Sequence, residues 1–208
     1  MAKFKRIETG ISGLVVIEPT VFGDHRGFFM ETYNRREFEA IGITATFVQD
    51  NQSRSMRGGL RGLHFQTRRP QGKLVRVVKG AVWDVAVDLR AGSATFGQWY
   101  GLELSEENKR MLYVPEGFAH GFLTLEDGTE FVYKCTDYYA PEYEAGLFYR
   151  DARIGVRWPF REYGINEEEI VLSAKDASLP TFEAVFGADG ERLDAKGERP
   201  EANGGEDR

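Results

Sequence analysis

The sequence has few of the features that mark secreted, membrane-bound or nucleic-acid-binding proteins. Its single cysteine, Cys135, cannot form an internal disulfide bond, so no oxidising compartment is required. No segment approaches the roughly 20 apolar residues of a membrane span, and the N-terminal MAKFKRIETG has charge but lacks the apolar stretch of a secretory signal. The net charge of −6 disfavours non-specific binding to nucleic acid. We therefore expect a cytoplasmic protein with neither a membrane nor a nucleic acid as its partner.

Short segments in which apolar and polar residues alternate dominate the chain from residue 14 to residue 158. In AVWDVAVDLR (81–90), for example, Val85, Val87 and Leu89 fall on one face of a strand, and Asp84 and Asp88 fall on the other. Many short strands separated by turn signals are typical of a β-sandwich, a jelly roll or a small barrel. The pattern predicts an all-β fold.

Helices and a terminal tail complete the predicted organisation. Two short helices are predicted, at 34–42 and at 166–176. Residues 187–208 contain seven acidic and four basic residues, with Leu193 as the only large apolar residue. Such a segment cannot bury enough apolar surface to offset the entropy cost of ordering it. We predict one folded domain over residues 1–185 and a disordered acidic tail over residues 186–208.

A block of positive charge lies between Asn51 and Trp83. This stretch contains no Asp or Glu but holds Arg54, Arg57, Arg61, Arg68, Arg69, Lys73, Arg76 and Lys79. Because Arg and Lys bind phosphate well, one interpretation is a compact site for an anionic ligand. The other is a solvated surface that pairs with carboxylates elsewhere in the fold.

His64 lies in the middle of an apolar segment, RGLHFQ (61–66). One interpretation is a packed core histidine, and the other is general acid–base chemistry. A metal site is disfavoured, because Gln66 stands where a mononuclear cupin site needs a second histidine and no Glu follows before Glu103. His120 is present downstream, but two histidines without a positioned carboxylate make a poor site. We therefore expect no metal.

Eight segments carry a family resemblance, and they cover nearly all of the predicted domain. They are FGDHRGFFMETYN (22–34), FVQDNQSRS (47–55), LRGLHFQ (60–66), QGKLVRVVKGAVWDVAVDLR (71–90), TFGQWYGLELSEENKRMLYVPEGFAHGF (95–122), YKCTDYYAPEYE (133–144), IGVRWP (154–159) and LSAKD (172–176). In this order they resemble the dTDP-4-dehydrorhamnose 3,5-epimerase family, a metal-free branch of the cupin-like proteins. The resemblance implies a cupin-like jelly roll or β-sandwich with a few short peripheral helices.

The resemblance implies an isomerase that inverts C3 and C5 of a dTDP-4-keto-6-deoxyhexose in dTDP-L-rhamnose biosynthesis, without a cofactor. By position, His64 matches the base and Asp176 matches the carboxylate that fixes the imidazole tautomer. Lys73 and Arg61 fall where cations would stabilise negative charge developing on the C4 oxygen. Tyr133 matches the acid, which must deliver a proton to the opposite face of the ring.

The resemblance also implies which residues bind the substrate. Arg26 and Lys175 match positions suited to the two phosphates, and Tyr139 matches an aromatic residue that stacks on the thymine. Further matching positions are Glu31, Gln49, Asp50, Asn51, His120 and Glu144. The family generally forms homodimers in which an N-terminal strand extends the partner's sheet. A homodimer is therefore expected, in which Arg26 and Glu31 could serve the other subunit.

Other interpretations of these residues stay open at this point. An enzyme that inverts only C3 or only C5 would keep the His–Asp pair and the tyrosine, and a non-catalytic nucleotide-sugar-binding module would keep the pocket. Tyr133 and His120 could instead be core residues, and Asp176 could be a helix cap or a surface carboxylate. We interpret Asp84 and Asp88 as structural.

Strand alternation raises one specific expectation about Arg61 and His64. In an uninterrupted strand these two side chains point to opposite faces. Both can reach one pocket only if the strand bends or bulges, which Gly58, Gly59 and Gly62 make possible. We predict such an irregularity between residues 60 and 64.

Overall fold

In the computed structural model of the protein, residues 3–187 are described, and they form thirteen β-strands and three short α-helices. The strands are β1 (Phe4–Glu8), β2 (Val15–Pro19), β3 (Phe22–Asp24), β4 (Gly27–Phe29), β5 (Gln49–Ser55), β6 (Leu60–Gln66), β7 (Lys73–Lys79), β8 (Ala81–Asp88), β9 (Trp99–Ser105), β10 (Met111–Val114), β11 (Phe118–Thr124), β12 (Thr129–Cys135) and β13 (Glu144–Gly146). The α-helices are α1 (Arg35–Ala40), α2 (Ala174–Ala177) and α3 (Phe182–Phe186), and 3₁₀ helices occupy Pro141–Tyr143 and Glu167–Glu169.

Two antiparallel sheets pack face to face. The six-stranded sheet has the order β1-β2-β10-β7-β12-β5, and the five-stranded sheet has the order β13-β6-β11-β8-β9. Strands distant in sequence, such as β2 and β10 or β5 and β12, are neighbours, which is typical of jelly-roll connections. The predicted all-β, cupin-like fold with a few short helices is confirmed.

The core between the sheets comes from alternate positions of facing strands. Val75 on β7 and Phe131 on β12 pack in one cluster with Ala86 on β8 and Phe122 on β11. Because side chains alternate along a strand, residues two positions before or after Val75, Phe122 and Phe131 also face the space between the sheets. This space is where the cavities described below open.

The outer face of the five-stranded sheet is covered by the segment that follows β13. Trp158, Phe160, Phe182 and Phe186 are buried there in one apolar cluster. Phe186 is only 4% exposed, so close packing continues past the predicted domain boundary at residue 185. The rest of the predicted tail, residues 188–208, lies outside the described residues.

The helices agree in part with the sequence pattern. The helix predicted at 34–42 is α1, which begins after Asn34, whose side-chain oxygen accepts a hydrogen bond from the N–H of Glu37. The helix predicted at 166–176 is instead a 3₁₀ turn at Glu167–Glu169 followed by α2, and α3 was not predicted. Across the described part of the chain, no helix is long and apolar enough to cross a membrane.

The β3–β4 hairpin stands apart from the two main sheets as a separate two-stranded sheet. Its phenylalanines Phe22, Phe28 and Phe29 are 56%, 61% and 68% exposed. An isolated hairpin is only marginally stable in water, and clustered exposed aromatics mark interaction surfaces. The hairpin is therefore a candidate contact surface.

Candidate active site

Two adjoining cavities open between the sheets, and His64, Lys73 and Tyr133 line both of them. The first, named here the Tyr139 cavity, has a volume of about 270 Å³ and is also lined by Gln49, Asn51, Gln71, Cys135, Tyr139 and Glu144. The second, the Arg61 cavity, has a volume of about 560 Å³ and is also lined by Ser53, Ser55, Arg61, His120, Lys175 and Asp176. The cavities thus meet at three side chains that can carry or transfer protons.

A β-bulge in β6 turns Arg61 and His64 to the same side of the five-stranded sheet. In the pairing of β6 with β11, His64 lies opposite His120 and Arg61 lies opposite Phe122, so three steps along β6 match two along β11. Gly62, inside the bulge, has a φ of 107°, and a Cβ there would meet the backbone of β11 at 2.6 Å. Only glycine fits both conditions. The predicted irregularity is confirmed.

His64 is held by a carboxylate from a distant part of the chain. Its Nε2 lies 2.5 Å from Oδ1 of Asp176, a buried residue of α2, the helix capped by the Ser173 side chain. Because a carboxylate only accepts hydrogen bonds, Nε2 carries the proton, and the neutral ring presents Nδ1 as an acceptor. Burial lowers the pKa of His64, and the hydrogen bond to Asp176 raises it by less. The ring is therefore in the form that a general base needs near neutral pH.

Lys73 and Tyr133 reach the cavities from the opposite sheet. They lie on β7 and β12, which pair in the six-stranded sheet, whereas His64 lies on β6 of the five-stranded sheet. Burial raises the pKa of Tyr133, so the phenol stays protonated near neutral pH. Burial lowers the pKa of Lys73, and the charges of Cys135, Asp84 and Glu144 act in the other direction. The junction therefore has a base on one wall and a proton donor with a cation on the other.

A second histidine–aspartate pair borders the Arg61 cavity. Nε2 of His120 lies 3.0 Å and 2.9 Å from the two carboxylate oxygens of Asp84, a residue of β8 with no exposed surface. We interpreted Asp84 as structural from the sequence, and its contact with a cavity-lining histidine was missed. The available signal was an aspartate inside the otherwise apolar segment AVWDVAVDLR.

Polar contacts organise the rest of the lining. Glu144 accepts a hydrogen bond from the Tyr139 hydroxyl and forms an ion pair with Lys175. Burial raises the pKa of Glu144, but these two contacts outweigh it and the pKa lies below its usual range. Nε of Arg61 donates to Oγ of Ser55 at 3.1 Å, and Arg61 has no carboxylate partner within residues 3–187. The guanidinium charge is therefore available to a ligand.

The side chain of Asp50 lies outside both cavities. It forms an ion pair with Lys134 at 2.9 Å on the outer face of the six-stranded sheet. Its neighbours Gln49 and Asn51 line the Tyr139 cavity, as alternation along β5 requires. The QDN segment thus contributes two of its three side chains to the site.

Arg26 and Glu31 also lie away from the cavities of their own subunit. Arg26 lies in the turn of the β3–β4 hairpin, is exposed and pairs with Asp24 at 2.6 Å. Glu31 pairs with Lys3 near the N-terminus. Local ion pairs thus hold both side chains outside the two cavities.

The basic block agrees partly with each of its two interpretations. Arg61 and Lys73 line the cavities. In contrast, Arg69 pairs with Asp137 at 2.7 Å, and Arg57 donates to the backbone carbonyl oxygens of residues 163 and 164. Some residues of the basic block therefore line the cavities and others bind protein groups outside them, because the block spans several strands whose side chains point to different faces.

The chemical groups at the junction suit proton transfer. Among residues 3–187, no cluster of three or more His, Cys, Asp or Glu side chains could hold a metal ion. His64 and His120 each direct Nε2 to an aspartate instead. A neutral imidazole facing a phenol, with Lys73 and Arg61 beside them, can remove a proton next to a carbonyl, stabilise the enolate and return a proton from the other side.

Comparisons with known proteins agree with this chemistry. A family model described as dTDP-4-dehydrorhamnose 3,5-epimerase matches residues 8–184. The dTDP-4-dehydrorhamnose 3,5-epimerase of Salmonella typhimurium is 53% identical over 182 residues, covering 86% of this chain and 96% of that protein. The enzyme of the same name from Methanothermobacter thermautotrophicus is 51% identical over 176 residues, covering 85% and 93%.

Two solved structures of epimerases are also similar to this chain. The dTDP-6-deoxy-D-glucose-3,5-epimerase of Legionella pneumophila, in complex with dTDP-4-keto-L-rhamnose, is 47% identical with a TM-score of 0.83, covering 96% of this chain and 100% of that one. A 3'-monoepimerase from Streptomyces bikiniensis, in complex with dTDP-quinovose, is 35% identical with a TM-score of 0.74, covering 82% and 84%.

Proposed function

The chain belongs to the dTDP-4-dehydrorhamnose 3,5-epimerase family, and we propose on this basis that it inverts C3 and C5 of a dTDP-4-keto-6-deoxyhexose in dTDP-L-rhamnose biosynthesis. It is a carbohydrate epimerase, an isomerase. The similarity to 3,5-epimerases, at 53% and 51% identity, exceeds the 35% identity to the 3'-monoepimerase, which favours inversion at both carbons.

His64 is the proposed base. C3 and C5 both flank the C4 ketone, so the proton on each is acidified by the same carbonyl. In a glucose-configured ring these two hydrogens lie on the same face, and one base can therefore remove both in turn. The Nδ1 atom of His64 accepts the proton, Asp176 stabilises the imidazolium that forms, and Lys73 and Arg61 stabilise the negative charge on the C4 oxygen.

The observation that carries the proposal is that His64 and Tyr133 come from facing sheets. Inversion requires that a proton leave one face of a carbon and arrive on the other. A ring held at the junction of the two cavities would lie between the imidazole and the phenol. Tyr133 gives its proton to the carbon, and solvent then returns His64 and Tyr133 to their starting protonation states before the second inversion.

The two cavities suggest how the substrate is oriented. We assign the sugar to the junction and the Arg61 cavity, where His120 and Arg61 can bind its oxygens. The nucleotide is assigned to the Tyr139 cavity, where the half-exposed Tyr139 ring can stack on the thymine. Hydrogen bonds to the bound nucleotide sugar come from polar side chains of both cavities: Gln49, Asn51 and Glu144 in the Tyr139 cavity and Lys175 in the Arg61 cavity.

Deuterium incorporation tests the function. With dTDP-4-keto-6-deoxyglucose in D₂O, we expect the product to carry deuterium at both C3 and C5, because each inversion delivers a solvent-derived proton. Sugar resonances in NMR spectra measure each position, and a sample without enzyme corrects for spontaneous enolisation. Deuterium at only one position would support a single-carbon epimerase, and none, with binding intact, would support a non-catalytic binding module.

We further propose a homodimer in which the β3–β4 hairpin of one subunit reaches the site of the other. Three observations support it: the hairpin pairs with no other strand among residues 3–187, it exposes Phe22, Phe28 and Phe29, and β5 is an edge strand beside the site. Arg26, at the end of the hairpin turn, would then bring a cation to the partner's bound phosphates. Glu31 would approach the same site.

Mixing two inactive variants tests whether the hairpin crosses to the partner. Arg26→Ala and His64→Ala subunits, each nearly inactive alone, are expected to regain about a quarter of wild-type activity after exchange into mixed dimers, since one site in four then has both groups. Steady-state rates before and after subunit exchange measure this. No recovery, with mixed dimers present by mass spectrometry, would contradict the crossing.

A cytoplasmic location is also a proposal. Its support is Cys135, a free and buried thiol that needs no oxidising compartment. Localisation of a tagged chain in cells would test it.

A further inference from the structure

Asp84 lines neither cavity but is hydrogen-bonded to a residue that does. It lies on the inner face of β8, has no exposed surface, and places both carboxylate oxygens on Nε2 of His120. A buried carboxylate is costly unless paired, and here its hydrogen-bond partner is a residue of the Arg61 cavity. The pair therefore connects the buried core to the proposed sugar-binding space.

We propose that Asp84 is a positioning residue for the epimerase reaction, one that fixes His120 with Nδ1 available to the sugar and supplies the buried negative charge that keeps Lys73 cationic. This inference rests on the proposed function. It assigns a role to a residue that never touches the substrate.

The first half of the inference follows from hydrogen-bond chemistry. A carboxylate only accepts, so Asp84 requires that Nε2 of His120 carry a proton. Within residues 3–187, no hydrogen bond from a protein group to Nδ1 of His120 competes for that atom. Because His120 lies directly opposite His64 in the pairing of β11 with β6, its ring shares the inner face with the base. A sugar hydroxyl can therefore donate a hydrogen bond to Nδ1.

The second half concerns Lys73, which has no ion-pair partner within 4 Å among the described residues. Burial lowers its pKa, which works against the charge needed next to the C4 oxygen. The negative charges of Cys135 and Asp84 act in the opposite direction and raise that pKa. Burial raises the pKa of Cys135, which keeps the thiol neutral near neutral pH, so Asp84 is the one of the two that carries its charge there. The titratable and charged groups that share its surroundings are Asp84 from β8, Arg61 and His64 from β6, His120 from β11, Tyr133 and Cys135 from β12, Glu144 from β13, and Lys175 and Asp176 from α2.

Glu144 is a weaker candidate for the negative charge that keeps Lys73 protonated. It forms an ion pair with Lys175 and accepts from Tyr139, so its charge is already partly compensated. Asp84 has only the His120 ring as a hydrogen-bond partner among residues 3–187, and a fixed, buried charge acts strongly because little solvent screens it.

Asp88 provides a matched control. It lies on the same face of β8, has no exposed surface, and is held by Arg90, Ser93 and Thr95, which keep its pKa at about 2. It lines neither cavity. Asp84→Asn and Asp88→Asn thus make the same chemical change at two buried sites of one strand.

The experiment compares the pH dependence of kcat in the two variants. For Asp84→Asn we expect kcat to fall about tenfold or more with little change in KM, and the alkaline limb to move about one unit to lower pH, because Lys73 loses its proton sooner. Asp88→Asn is expected to unfold at a lower temperature but to keep the wild-type kcat and pH profile. A wild-type pH profile in a folded Asp84→Asn variant would overturn the inference.

A spectroscopic measurement keeps the inference testable if Asp84→Asn does not fold or if the substrate proves to be different. The chain has only three histidines, so ¹⁵N-edited NMR of the wild-type rings resolves His120, identified with a His120→Asn spectrum. We expect Nε2 of His120 to carry a proton over the whole pH range of stability. A bare Nε2 with a proton on Nδ1 would overturn the inference whatever the enzyme acts on.

Discussion

Replacing His64 by alanine is expected to lower kcat/KM for epimerisation by about 1,000-fold, because the variant lacks the imidazole proposed to accept the substrate proton. Solvent deuterium should no longer enter C3 or C5 in either product or recovered substrate. Combined turnover and NMR assays in D₂O measure both effects. Exchange at the wild-type rate would mean that another residue is the base.

Binding and stability measurements separate this chemical loss from a folding defect. Apart from His64 itself, the Tyr139 cavity keeps its polar lining in His64→Ala, so calorimetry should give a Kd for dTDP close to that of the wild-type protein. Asp176→Asn is the companion variant: the base remains, but the carboxylate that orients it and stabilises the imidazolium is gone. A loss smaller than that of His64→Ala, with unchanged dTDP binding, is the expected result.

The pH profile gives an independent check on the same residue. Catalysis requires neutral His64, and burial lowers its pKa below the usual value of 6.5. The acid limb of kcat/KM in the wild-type protein should therefore lie below pH 6.5, because protonation of the base begins only there. An acid limb at higher pH would show that Asp176 outweighs burial.

The sequence predicted the all-β fold and several residues that line the two cavities, but not which side chains of a matched segment face inwards. Alternation fixes the face on which a side chain lies, which is why Gln49 and Asn51 both line the Tyr139 cavity. The same rule puts Asp50 on the outer face, where it pairs with Lys134. A motif match assigns roles to whole segments, and it does not distinguish the inward from the outward residues within them.

Two further features depended on contacts between strands that no local pattern encodes. The bulge at Gly62 was predicted from the requirement that Arg61 and His64 share a pocket, yet its register is set by the pairing of β6 with β11. The partnership of Asp84 with His120 joins residues 36 positions apart on neighbouring strands. An aspartate in an apolar strand indicates a buried charge, but only the order of strands in the sheet identifies the residue that pairs with it.

Replacing Tyr133 by phenylalanine is expected to separate the two halves of each inversion. Without the phenol, delivery of a proton to the second face should fall by about 1,000-fold, and product formation with it. His64 and Asp176 are unchanged in this variant, so proton removal and return on the first face should continue. Substrate recovered from D₂O should then carry deuterium at C3 or C5 with its configuration unchanged.

This outcome distinguishes an acid on the opposite wall from a tyrosine that only shapes the cavity. A purely structural role would lower exchange and inversion together, because both would suffer from misplacement of the substrate. Tyr113→Phe is the matched control, since Tyr113 is a partly buried tyrosine of the same sheet that packs against Phe47 and lines neither cavity. It should leave turnover and exchange at wild-type rates. Loss of exchange in Tyr133→Phe equal to the loss of turnover would contradict the arrangement in which the base and the acid face each other across the sugar.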